Sequence, residues 1–165
     1  MSTSEVKQKQ ITILGIGNTL YSDEGVGVQV IPLLEDVLKD YESKVEIIEG
    51  ATDGIKLLGP VEDTEYLIII DAINADKEPG SIITVDQDEI PKYFGVKMSI
   101  HQVGFQEVLF AAQIRENLPK QMIMFGIQPE SLKLGVELTD MVKSKLPDLA
   151  CLIKEKVESW LDQHE

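Results

Sequence analysis

Three side chains in this sequence combine a residue type and a position that could do chemistry: Glu24, Asp71 and His101. Glu24 stands in "GIGNTLYSDEG", where an apolar run breaks into glycines and then into an acidic pair at the mouth of a helix. Asp71 closes "LIIID", and a carboxylate beside four apolar residues is costly unless it is solvated, paired or bound to metal. His101 lies in "SIHQVGFQEVL", where Ser99 and Gln102 have capping-box spacing. In the first turn of such a helix the dipole disfavours imidazolium and keeps a nitrogen lone pair available. Two carboxylates and one neutral nitrogen form an O,O,N set that suits zinc, nickel or iron(II), with open positions for water or substrate. The residues by themselves point to an α/β protein with a metal-assisted hydrolase site.

Each residue also has a plainer reading. Acids in a first helical turn complement the macrodipole by about 0.3–1 kcal/mol, and Asp23 takes that reading. Asp71 could be a solvated loop acid or a helix cap, a lone histidine is more often surface or core than ligand, and His164 in the terminal tail carries no signal. The glycine turn holds Gly15, Gly17 and Asn18, but a dinucleotide fingerprint needs a third glycine where Leu20 stands. Pyrophosphate would meet carboxylates there instead of bare backbone N–H groups, which counts against a nucleotide-binding module. No G-x-S-x-G occurs, and the single cysteine, Cys151, falls in a helical apolar stripe that reads as a buried structural thiol.

The elements that must position these residues alternate. "QITILG" at 10–15 reads as a buried strand, and the apolar positions Val30, Leu34, Val37 and Leu38 give a helix from Val26 to about Tyr41, with Pro32 tolerable only near its first turns. A second strand covers 44–50, and Thr52 with Gly59-Pro60 brackets a short helix between an N-cap and a glycine stop. "YLIIIDA" at 66–72 is continuously apolar, as expected of a central strand covered on both faces. "SIITVD" at 81–86 follows too soon for a parallel crossover, so it should run antiparallel near an edge. Residues 99–115 are helical, 121–127 form a fifth strand, and 140–163 form a C-terminal helix that Pro147 kinks or splits. The expected fold class is α/β: a three-layer sandwich, with helices on both faces of a five-stranded, mostly parallel twisted sheet that has one antiparallel strand. Ligands of such sheets bind beyond the carboxyl ends of the strands, where Glu24 and Asp71 would lie.

The chain is expected to be a single domain over 1–165, with a polar leader at 1–9. A net charge of -14 would repel nucleic acid and acidic membrane surfaces, and no apolar run approaches the ~18 residues of a membrane span. The cytoplasm is the expected location and a monomer the expected state. One cysteine excludes a disulfide framework or a thiolate metal cage within the chain.

In order along residues 11–145, "LGIGNTLYSDEGVGVQV", "IIIDAI", "SIHQVGFQEVL" and "FGIQPESLKLGVELT" resemble the maturation endopeptidases of nickel-iron hydrogenases. The resemblance implies a twisted five-stranded sheet between helices, and a protease that removes the C-terminal extension of the hydrogenase large-subunit precursor once nickel is loaded. It places the family's metal-binding glutamate, aspartate and histidine on Glu24, Asp71 and His101. The further acid after the second strand falls on Glu49, where an aspartate is the family's residue, and carries a role in substrate recognition or none beyond a strand-end acid. Nickel is then carried by the substrate, with zinc or cadmium as surrogates. Water would be activated by the metal or by a carboxylate acting as general base, as in an aspartic-type endopeptidase. The alternative is a metal-dependent peptidase or amidohydrolase acting on another protein precursor.

Overall fold

The structure, a computed structural model, describes residues 9–51, 54–90 and 100–163; the side chains of residues 9, 51, 54–55 and 100–104 lie outside that description. Five strands, β1 (Lys9–Ile16), β2 (Val45–Ala51), β3 (Thr64–Ala72), β4 (Ile82–Asp86) and β5 (Gln121–Ile127), form one sheet of order β2-β1-β3-β5-β4. β3 is central, as its unbroken apolar run requires, and all pairings are parallel except β4 against β5 at the edge.

Period-two alternation sends the strand side chains into two cores. On one face Ile11, Ile13, Ile68 and Ile70 pack with α2 (Ile31–Val37) and the C-terminal helix. On the other, Leu14, Leu67 and Ile69 meet α3 (Leu58–Glu62) and α4 (Ile100–Ile114), the latter through Phe105, Val108 and Ala112. Trp160 anchors the first core by stacking on Tyr66 at 4.9 Å between ring centroids, while its indole N–H donates to Gln121 Oε1 at 3.1 Å.

Prolines set several boundaries. The helix expected from Val26 to Tyr41 is broken into α1 (Val26–Gln29), α2 and a 3-10 turn (Lys39–Tyr41), so that Pro32 falls in the first turn of α2, where its missing N–H has no intrahelical partner to lose. Gly59-Pro60 does not stop a helix: both residues lie inside the short α3, for the same reason, and Thr52 lies outside the described residues. Pro147 splits the C-terminal helix into α5 (Asp140–Lys143) and α6 (Leu146–Asp162). Cys151 is exposed on α6, so the expectation of a buried thiol is corrected: α6 points Leu149, Ala150 and Ile153 inward and leaves Cys151 outside.

α4 runs antiparallel to the strands it covers, because it leads into β5 from the carboxyl side of the sheet. Just past its end, Arg115 Nε donates to Glu62 Oε2 at 2.7 Å, and Glu62 lies two residues before β3 begins. Fifteen residues of helix span about 22 Å, so the start of α4 lies toward the carboxyl ends of the strands.

Candidate functional site

The site is built where β1 gives way to α1. The Asn18 side chain accepts the Leu20 N–H at 2.9 Å, Ser22 takes a φ of 54°, and the 3-10 turn Ser22–Gly25 carries Asp23 and Glu24. Gly17 has a φ of +141°, and a Cβ there would lie 2.1 Å from the Glu24 carbonyl oxygen and 3.4 Å from Asp71 Oδ1. One glycine therefore sits between the Glu24 peptide and the Asp71 carboxylate, and no larger residue fits. A Cβ on Gly27 would lie 2.3 Å from the Ile70 carbonyl oxygen and 2.4 Å from that of Ile16, so α1 rests directly on the ends of β1 and β3. The close helix-to-strand approach that a fingerprint glycine at position 20 would provide comes instead from Gly27, in "EGVGVQ".

Asp71 is fully buried at the end of β3, and its Oδ1 accepts the Ala72 N–H at 2.8 Å. Strand alternation places it on the face of Leu67 and Ile69, the face that α4 covers. Glu24 is half-buried in the adjoining turn. His101 is the second residue of α4, at the end of that helix nearest the carboxyl edge; its side chain lies outside the described residues. Among the described residues no three His, Cys, Asp or Glu side chains are grouped to hold a metal, so Glu24 and Asp71 form the described part of the expected set. Glu49 is exposed near the end of β2, in register with Gly15 of β1, on the same carboxyl edge. Ser99, the expected cap of α4, lies outside the described residues.

Asp23 stands in the first turn of the 3-10 helix, as its plainer reading has it, and also has a second role. It is fully buried and caps no helix; its Oδ2 accepts the Glu130 and Ser131 N–H groups at 2.8 and 3.0 Å, and its Oδ1 accepts the Thr139 N–H at 2.8 Å. The Thr139 hydroxyl adds a bond of 2.9 Å to Oδ2. Asp23 thus fastens the chain after β5 against the turn that carries Glu24. Sequence separation hid this, although Thr139, which caps α5 by accepting the Val142 N–H, is a recognisable helix start. Gln128, just past β5, works in a similar way, since its Oε1 accepts the Ala75 N–H at 2.8 Å and holds the chain after β3.

The family profile described as hydrogenase maturation protease matches residues 28–156, a span that includes Asp71 and His101 and begins just after Glu24. The hydrogenase expression/formation protein HupD of Bradyrhizobium diazoefficiens is 39% identical over 160 residues, covering 93% of this chain and 81% of that one. The hydrogenase 2 maturation protease of Escherichia coli is 39% identical over 140 residues, covering 83% of this chain and 84% of that one. Among solved structures, the hydrogenase maturating endopeptidase HYBD from E. coli superposes with a TM-score of 0.84 at 35% identity, covering 91% of this chain and 93% of that one.

Proposed function

The chain belongs to the hydrogenase maturation proteases, and from that premise we propose that it is an endopeptidase that trims the C-terminal extension of a nickel-loaded hydrogenase large-subunit precursor, using Glu24, Asp71 and His101 to grasp the nickel. The observation that supports this reading is that Gly17 lies beside both the Glu24 carbonyl oxygen and Asp71 Oδ1, so that the turn carrying Glu24 packs on the carboxyl end of β3 next to Asp71. Two carboxylates and an imidazole are donors that nickel accepts, and an acidic turn attracts a cation. Nickel arrives as part of the substrate, so the grip tests whether the precursor has been loaded and at the same time positions its tail for hydrolysis. Zinc or cadmium would take the same donors as surrogates. Glu49, exposed on the same edge, contacts the precursor beside the metal. The protease acts as a monomer in the cytoplasm; among the described residues no helix is long and apolar enough to cross a membrane.

The test is processing of purified, nickel-loaded precursor by the wild type and by Glu24→Gln, Asp71→Asn and His101→Ala, each checked for folding. Loss of a ligand should slow cleavage by about a hundredfold or more. Full activity in the folded His101→Ala variant would remove that residue from the site.

A further inference from the structure

We propose that an apolar ledge beside the site docks the precursor polypeptide next to its scissile bond, an inference that rests on the function proposed above. The ledge joins two distant stretches of chain. The Ser22 N–H donates to the Gly135 carbonyl and the Gly135 N–H to the Leu20 carbonyl, both at 2.8 Å, and the Ser22 hydroxyl donates to the Lys133 carbonyl at 2.7 Å. While these backbone groups face each other, large apolar side chains on both stretches remain in solvent: Leu134 at 79%, Val136 at 65%, Leu20 at 55%, Leu132 at 48% and Tyr21 at 44% exposed. Scattered apolar residues on a surface need no explanation, but five on two hydrogen-bonded stretches form a patch of the kind that marks an interaction surface.

The ledge is continuous with the site. The Glu24 N–H donates to the Tyr21 carbonyl at 3.1 Å, so a polypeptide whose cleavage point reaches Glu24 passes beside Tyr21. Asp23, the residue next to Glu24 in that turn, fixes the outer stretch through the Glu130, Ser131 and Thr139 N–H groups, so the ledge is ordered before substrate arrives. The occupant it fits is an apolar segment of the precursor flanking the scissile bond, bound alike before and during cleavage, so that the ledge adds affinity for the precursor.

The experiment is steady-state processing of nickel-loaded precursor by Leu134→Ser and Val136→Ser, with Ile114→Ser, also exposed but at the end of α4, as control. The ledge variants should raise KM about tenfold at unchanged kcat and melt like the wild type, and the control should leave both constants alone. A wild type that cleaves while both ledge variants keep its KM overturns the ledge and leaves the function standing. So does sedimentation showing that the ledge joins two copies of the chain while processing is unaffected. A wild type that leaves the precursor uncut overturns the function and the ledge with it.

Discussion

Thr139 donates both its peptide N–H and its hydroxyl to Asp23, across 116 positions of sequence, at 2.8 Å and 2.9 Å. With the N–H groups of Glu130 and Ser131 on the same buried carboxylate, this is the clasp between the turn carrying Glu24 and the chain that follows β5. Asp23→Ala would leave three peptide donors without their acceptor and should cost about 3 kcal/mol or more, whereas Thr139→Val, which keeps the Thr139 N–H hydrogen bond to Asp23 but loses the hydroxyl bond and the α5 cap, should cost about 2 kcal/mol. Urea midpoints at constant m-value measure both.

Gly17→Ala should destabilise the fold by more than about 1 kcal/mol and reduce processing, because its φ of +141° disfavours a side chain and its Cβ would drive into the Glu24 carbonyl oxygen at 2.1 Å. Gly59→Ala is the contrast: apart from its chain neighbours nothing lies within 4 Å of a Cβ there, and the propensity gained is offset by the crowding of a Cβ against the following Pro60, so stability should change by less than about 0.5 kcal/mol. Thermal melts should show a clear fall for Gly17→Ala and little change for Gly59→Ala.

The difference between those glycines bears on what the sequence could reveal. The continuous apolar run of β3 made its central place legible, and the short link before β4 made its antiparallel edge position legible, because both follow from local composition and chain length. Asp71 stood out as a candidate because a charge after four apolar strand residues is locally anomalous, and Glu24 because it follows the glycine turn at the mouth of a helix. The role of Asp23 was not legible, since an acid in a first turn already has a local explanation and its four donors come from more than a hundred residues away. Cys151 departs from expectation for a related reason: an apolar stripe drawn along α6 takes in a position one step beyond the buried face. Gly27 escaped notice because nothing local distinguishes a glycine that must touch a strand from one that need not.

Cys151 should react with a thiol reagent in the folded protein without unfolding, since it is exposed. Its thiol is held above the usual range by a hydrogen bond to the Glu155 carboxylate, 3.6 Å away, aided by partial desolvation and the charge of Glu155. Glu155→Gln should therefore speed alkylation near neutral pH, and Cys151→Ser should leave processing unchanged. Reaction only after denaturation would contradict the exposure.

The Tyr41 hydroxyl donates to Glu158 Oε2 at 2.6 Å, and that bond is the main cause holding its pKa above the ordinary 10.0. A group whose pKa is higher in the folded chain contributes stability that is present below its unfolded pKa and lost as pH rises through the folded value. The link between α2's end and α6 should thus be intact at neutral pH and fail only on the alkaline side of 10.0. Tyrosinate absorbance in Glu158→Gln should titrate at lower pH than in the wild type; identical curves would show that Glu158 does not hold the phenol proton.

If the protease reads nickel on its substrate through Glu24, Asp71 and His101, cleavage must depend on the metal that the precursor carries. The decisive measurement is cleavage of one purified large-subunit precursor, prepared with and without nickel, by metal-free protease, with shortening of the precursor followed by mass. The nickel-loaded form should lose its C-terminal extension while the nickel-free form stays intact. Equal cleavage of both forms by the wild type would mean that nickel is not what the three side chains recognise.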